Sequence, residues 1–271
     1  MRYSNPHTHT TFCDGRDSVE HIARRAKEMG FVSLGISSHG PQTNNTFGFQ
    51  DEKSYAEEVR RVASLMAPDM KVWLGVEQDY YGFCNIDYDY RVGGVHYIEG
   101  TDGAVYSVDH TEELFSAMLE NGFHGSPTAM AKSYYGRVLD MCRKNRPNIV
   151  AHFDLICKYN EGNAFFDERD PAYLAIALDA LEALSHEDIL LEINTGAIAR
   201  GRRTRPYPDM PLLRRWHELG GRVIFGSDCH DAEKLLCGWE TAMEMLKSAG
   251  FRTAWRLGER SELFIEEAIE E

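Results

Sequence analysis

Residues 72–77 read Val-Trp-Leu-Gly-Val-Glu, a short apolar run with a carboxylate at its tip. Such a run, bounded by polar chain, suits a strand covered on both faces. The pattern recurs outward in both directions. Further apolar runs lie around Arg2 to Asn5 and at Val32 to Ile36, Val92 to Val95, Ile149 to Ala151, Ile189 to Ile193 and Val223 to Phe225, making seven candidate strands in all.

Amphipathic segments separate most of these runs. Val19, Ile22, Ala23, Ala26 and Met29 share one helical face; Asp17, with Glu20 three residues on, reads as the N-cap and Gly30 as the stop. Thr111 before Glu112 and Glu113, Ser126 before Pro127, and Asp170 before Pro171 mark further helix starts. Strand followed by helix, repeated, predicts parallel pairing. Only the stretch from Gln78 to Tyr90 is too short for a helical crossover, so an irregular link is expected there. No second hydrophobic pattern follows a linker and no internal repeat appears. Residues 1–271 are therefore expected to form one domain, a distorted seven-stranded α/β barrel; an open doubly wound sheet would share the same alternation.

Composition narrows the function classes. A chain of 271 residues with 43% apolar content can bury a substantial core. No stretch of about 18 apolar residues occurs, and the start, MRYSNPHTHT, has neither a basic nor a hydrophobic segment, so no membrane partner is expected and the cytoplasm is the expected compartment. Six cysteines are scattered without a CxxC pair, which suits reduced thiols. The net charge of −14 opposes nucleic-acid binding, whereas a small anionic substrate stays compatible because bound divalent cations would reverse the local sign. Nothing in the sequence fixes an oligomeric state.

The strand tips carry the chemistry. His7 and His9 follow the first run, with Asp14 in the loop after them; His39 follows the second, Glu77 the third, His96 the fourth and His152 the fifth, and Asp228 and His230 follow the seventh. In a parallel barrel these carboxyl ends surround one mouth, although they run from residue 7 to residue 230. Alternate residues on a strand point the same way, so His7 with His9, and Asp228 with His230, can each reach one ion. Imidazole and carboxylate suit zinc, manganese or iron(II), and nine donors exceed the needs of one ion, which predicts a cluster of two to three divalent metals. Such a cluster holds a bridging hydroxide and neutralises charge on a transferring phosphoryl group. His21, His124, His186 and His217 fall in or beside helical stretches and are given no function.

His7-Thr8-His9, Asp14-Gly15, Ser38-His39, Gly75-Val76-Glu77, His96, Ala151-His152 and Ser227-Asp228-Cys229-His230 together resemble the PHP (polymerase and histidinol phosphatase) family. The resemblance implies a distorted (β/α)7 TIM-like barrel. It also implies one ion held by His7, His9, Glu77 and Asp228, a second by Glu77, His96 and His152, and a third by Asp14, His39 and His230, with Glu77 bridging. Some relatives carry histidine at the position of Asp14.

Within the family, Gly94-Val95-His96-Tyr97-Ile98, Tyr106-Ser107-Val108-Asp109-His110, Ala151-His152-Phe153-Asp154-Leu155 and Glu192-Ile193-Asn194-Thr195-Gly196 resemble the monofunctional histidinol-phosphate phosphatases. That resemblance implies hydrolysis of L-histidinol phosphate to L-histidinol and phosphate. Independently, the basic run Ala199-Arg200-Gly201-Arg202-Arg203-Thr204-Arg205 and Lys158 offer a phosphate clamp, with Arg200 and Lys158 the preferred residues. Glu77, Asp228 and His230 are the candidate catalytic residues; protonation of the leaving alcohol falls to Asp228, His230 or a metal-bound water. Asp79, Tyr81, Asp109 and His110 are loop candidates for the imidazole and amino ends of the substrate. The competing readings are a family member acting on another small phosphate ester or nucleotide, a metal-binding barrel without catalysis, and an amidohydrolase.

Overall fold

The structure of the protein, a computed structural model, describes residues 1–42 and 47–269. In chain order its elements are β1 (Ser4–Asn5), α1 (Val19–Glu28), β2 (Ser33–Ile36), α2 (Glu52–Met66), β3 (Lys71–Asp79), β4 (Tyr90–Gly94), β5 (Tyr97–Glu99), β6 (Val105–Ser107), α3 (Glu112–Ala117), α4 (Pro127–Asn145), β7 (Ile149–Val150), α5 (Pro171–Leu184), β8 (Leu190–Asn194), α6 (Gly196–Ala199), α7 (Met210–Glu218), β9 (Arg222–Gly226), α8 (Trp239–Ala249), β10 (Thr253–Leu257) and β11 (Phe264–Ala268). No helix intervenes between β3 and β4, as the short connection requires.

Strand periodicity builds the barrel. On β3, Val72, Leu74 and Val76 pack with α1 and α2 in the outer layer, while Trp73 joins Tyr90, Val92, Ile149, Leu190 and Ile224 in the interior. Both faces are buried, which is why the sequence reads as a continuous apolar run rather than an alternating one. The inward row of each strand, continued to its carboxyl end, leads to Glu77 on β3, Glu192 and Asn194 on β8, and past Gly226 to Asp228 after β9. The ring of Tyr90 fills the space at Gly75, where a Cβ would stand 2.3 Å from its Cζ, and its hydroxyl donates to Pro6 O at 2.5 Å.

The main sheet runs β1-β2-β3-β4-β7-β8-β9-β10-β11 and is parallel as far as β10. Its rim closes where Thr8 bridges Cys229 in parallel, with His9 N donating to Cys229 O at 2.8 Å. The seven strands read from the sequence are all present. Two strands are added to the sheet, β10 and the antiparallel β11, and β5 and β6 form a separate hairpin. The end of β10 reaches the starts of β2 and β3, where Ser33 Oγ donates to Leu257 O at 2.6 Å and Trp73 Nε1 to Gly258 O at 2.7 Å. The end opposite the strand tips is thereby covered.

Helix caps follow the sequence at Thr111, Ser126 and Asp170, whose side chains accept from Leu114 N, Ala129 N and Ala172 N. Asp17 is the exception. Ser18 caps α1 by accepting from His21 N, because Asp17 Oδ2 is committed to Ala232 N at 2.8 Å. Gly30, at φ +83°, ends the helix as expected. None of the six cysteines forms a disulfide, and among the described residues no helix is long and apolar enough to cross a membrane.

Candidate metal centre

Glu77 lies at the centre of the mouth, 1% exposed. Its Oε2 is 3.4 Å from His7 Nε2, 3.4 Å from His9 Nε2 and 2.8 Å from His39 Nδ1; its Oε1 is 3.5 Å from His96 Nε2 and 3.1 Å from His152 Nε2. Five imidazoles from four strand tips thus converge on one carboxylate. Asp228 Oδ1 stands 3.1 Å from His9 Nε2 and 3.6 Å from His230 Nδ1, and Asp14 Oδ1 stands 3.2 Å from His230 Nε2 and 3.9 Å from His39 Nε2.

Three groups of donor atoms have the mutual spacing a metal ion needs: His7, His9 and Asp228; Glu77, His96 and His152; and His9, Asp14, His39 and His230. All nine residues singled out in the sequence fall in these groups. His9, expected in one set, stands in two. His21, His124, His186 and His217 fall in none.

The donor set fits divalent ions on evidence internal to the fold. His7 Nε2, His9 Nε2, His39 Nδ1 and Glu77 Oε2 are buried and crowd together, yet none of them makes a well-directed hydrogen bond. Orphaned buried nitrogen and oxygen atoms are costly unless something completes them. Imidazole nitrogens and carboxylates in this proportion suit zinc, manganese or iron. Burial raises the pKa of Glu77, but His39, His7 and His96 outweigh it and hold the carboxyl well below its usual range. Asp228 is likewise held low against burial, by Arg200, His7 and His9. Both therefore remain ionised acceptors. Burial together with the neighbouring His230 and His39 pushes His9 well below its ordinary value, which keeps a lone pair available for a metal.

Second partners orient the rings. His7 Nδ1 meets Glu192 Oε1 at 2.8 Å and His96 Nδ1 meets Asp79 Oδ2 at 3.2 Å, the carboxylate–histidine arrangement common behind metal ligands. Asp79, a sequence candidate for substrate recognition, is thus turned toward His96 and away from the cavity. Neither partnership was readable in advance, because each joins residues on different strands.

Beside the cluster opens a cavity of about 230 Å³, lined by His39, His96, His152, Asp228 and His230 and by Lys158 and Arg200. Lys158 Nζ is held by Asp109, at 2.7 Å from its carbonyl and 3.1 Å from Oδ2. Arg200 Nη1 meets Asp228 Oδ2 at 3.1 Å, and Nη2 meets His230 Nδ1 at 3.0 Å. Asp109 and His110 line the cavity, whereas Tyr81 does not and packs near Arg137. The basic run divides by burial: Arg203 turns inward to Glu168 Oε1 at 2.8 Å, Arg205 pairs with Asp209 at 3.2 Å, and only Arg200 faces the cavity.

The PHP domain family matches residues 5–196, well over half of the chain. The chain belongs to the PHP domain family. A Schizosaccharomyces pombe protein named "Probable histidinol-phosphatase" is 25% identical over 90% of this chain and 86% of its own length. The histidinol-phosphatase of Bacillus subtilis is 21% identical over 90% of this chain and 99% of its own length. The crystal structure of the Lactococcus lactis histidinol phosphate phosphatase, solved with zinc, L-histidinol and phosphate, superposes with a TM-score of 0.73 at 20% identity, covering 95% of this chain and 97% of that one. The PHP barrel is therefore the fold of this chain.

Proposed function

We propose that this PHP protein hydrolyses L-histidinol phosphate to L-histidinol and phosphate with two to three bound divalent ions, zinc, manganese or iron. The observation that carries the reading is the convergence of the Glu77-centred cluster with Lys158 and Arg200 on one cavity. The two curated relatives, each aligned over 90% of the chain, supply the substrate class.

His7, His9, Glu77 and Asp228 would hold one ion, Glu77, His96 and His152 a second, and Asp14, His39 and His230 a third. When bound, such ions supply a water nucleophile at neutral pH and offset charge developing on the phosphoryl oxygens. Arg200, oriented by Asp228, presents a planar fork of N–H donors suited to two phosphoryl oxygens, and Lys158, anchored on Asp109, adds a compact second cation. Asp228 and His230 face the same cavity; with Asp228 held ionised, delivery of a proton to the departing alkoxide would fall to His230.

The test is steady-state phosphate release by protein stripped of metal and reloaded with zinc, manganese or iron. Turnover on L-histidinol phosphate should be saturable, absent in the stripped protein, and well above that on nucleotides and sugar phosphates. A preference for any of those other esters would reject the substrate while leaving the metal chemistry standing.

A further inference from the structure

Glu192 is fully buried, ionisable and absent from every candidate ligand group. It lies on the inward row of β8, and its two oxygens serve different parts of the mouth. Oε1 meets His7 Nδ1 at 2.8 Å. Oε2 accepts from the backbone N–H of His152 at 3.1 Å and from Asn194 Nδ2 at 2.7 Å. His7 and His152 belong to two different donor groups.

Each contact has a distinct consequence. An imidazole that donates from Nδ1 keeps its lone pair on Nε2, and His7 Nε2 is the atom that faces Glu77 and lacks a hydrogen-bond partner. His152 holds φ +28°, a region sparsely populated by residues with a side chain, and its N–H bond to Glu192 ties that backbone down. Space for the carboxylate comes from the neighbouring strand: a Cβ at Gly226 would stand 1.8 Å from Glu192 Oε1. Gly226 therefore sets where Glu192 can lie.

We propose that Glu192 is a positioning residue for two metal sites at once, fixing His7 in the Nδ1-protonated form for one ion and pinning the His152 backbone for another. The proposal rests on the assignment of His7 and His152 as ligands. It requires a carboxylate. Three donors converge on Glu192, from His7, His152 and Asn194, and two acceptor oxygens satisfy them. Glutamine, with one oxygen and one NH₂ group, must either set a donor against a donor or drive the His7 proton to Nε2, the nitrogen needed for metal.

The experiment measures zinc affinity by competition with a chromophoric chelator, which needs no turnover. Glu192→Gln and Gly226→Ala should each weaken zinc binding about 10–100-fold, the usual effect of losing a partner behind a metal ligand. Circular dichroism of the metal-free proteins establishes that they fold. A folded Glu192→Gln variant with unaltered affinity would overturn the role of Glu192 alone. Failure of the unsubstituted protein to bind zinc would instead overturn the ligand assignment beneath it. The tautomer provides a measurement free of any variant: ring ¹⁵N shifts of the zinc-loaded protein should place the His7 proton on Nδ1 and the metal on Nε2, and the reverse arrangement would overturn the proposal.

Discussion

At the mouth of the barrel Glu77 faces five imidazoles, yet its Oε2 and the inward nitrogens of His7, His9 and His39 make no well-directed hydrogen bond. At the covered end Arg256 is just as buried, 1% exposed, but its guanidinium is bound by Glu267 Oε2 at 2.8 Å, Leu257 O at 2.8 Å and Glu259 Oε2 at 2.6 Å, leaving only Nη2 without a partner. Both ends bury charge. The covered end completes its charges with residues of the chain, so its network serves stability; the mouth leaves its donors aimed at a common space, so its completion must come from a ligand.

The largest effect that could break this contrast is at Glu77. Glu77→Gln keeps the shape but gives up the charge and one acceptor that serve both sides of the cluster. Its loss of metal-dependent turnover should exceed the roughly 10–100-fold typical of removing a partner behind a ligand. The zinc-induced rise in melting temperature, which reports binding to the folded state, should shrink with it. Calorimetric scans with and without zinc read this directly; a variant that keeps the full shift would show that zinc binding does not depend on the Glu77 carboxylate at the centre of the mouth.

Much of the mouth was legible in the sequence because strand geometry makes it so. A strand buried on both faces reads as an apolar run, and the residue at its tip continues the inward row, which is how Glu77, His96 and Asp228 could be placed together. What joins side chains across strands was not legible. Glu192 sits inside an apolar run, yet its bond to His7 spans 185 positions. Asp17 and Ser18 are equally good caps, and the choice is made by Ala232 N, far along the chain. Arg200 and Arg203 look alike in one basic run, and it is Glu168, 35 positions away from Arg203, that draws only the latter inside. β10 and β11 escaped notice because Arg256, Glu266 and Glu267 break the apolar pattern, and the partner of Glu267 includes Arg2 from the other end of the chain.

A smaller effect is expected at the covered end. Arg256→Met removes the central cation from Glu259 and Glu267 without touching any donor of the mouth. Breaking a fully buried ion pair costs about 3–5 kcal/mol, but here both carboxylates keep some contact with water, so a loss of about 1–3 kcal/mol is expected. For a chain of this size that lowers the melting temperature by several degrees. Zinc affinity should stay at the unsubstituted value. Chemical denaturation paired with chelator competition separates the two, and a fall in zinc affinity matching the fall in stability would show that the ends are coupled and that the contrast is false.

The finest test is in the acid dependence of that same network. Partial burial pushes Glu267 up, but the backbone N–H and guanidinium of Arg2 and the guanidinium of Arg256 pull its carboxyl down to about 2. A carboxyl whose pKa is lower in the folded than in the unfolded chain contributes stability that is present above its ordinary value of 4.5 and is lost as pH falls toward 2. Glu267→Gln should therefore be less stable than the unsubstituted protein at pH 6, and the gap should close progressively between pH 4.5 and 2 as the native carboxyl is protonated. Unfolding of the metal-free proteins across that range isolates the covered end from metal release at the mouth. A gap that stays constant over the range would mean that Glu267 contributes packing and not charge, and that the covered end holds together by shape where the mouth is held by electrostatics.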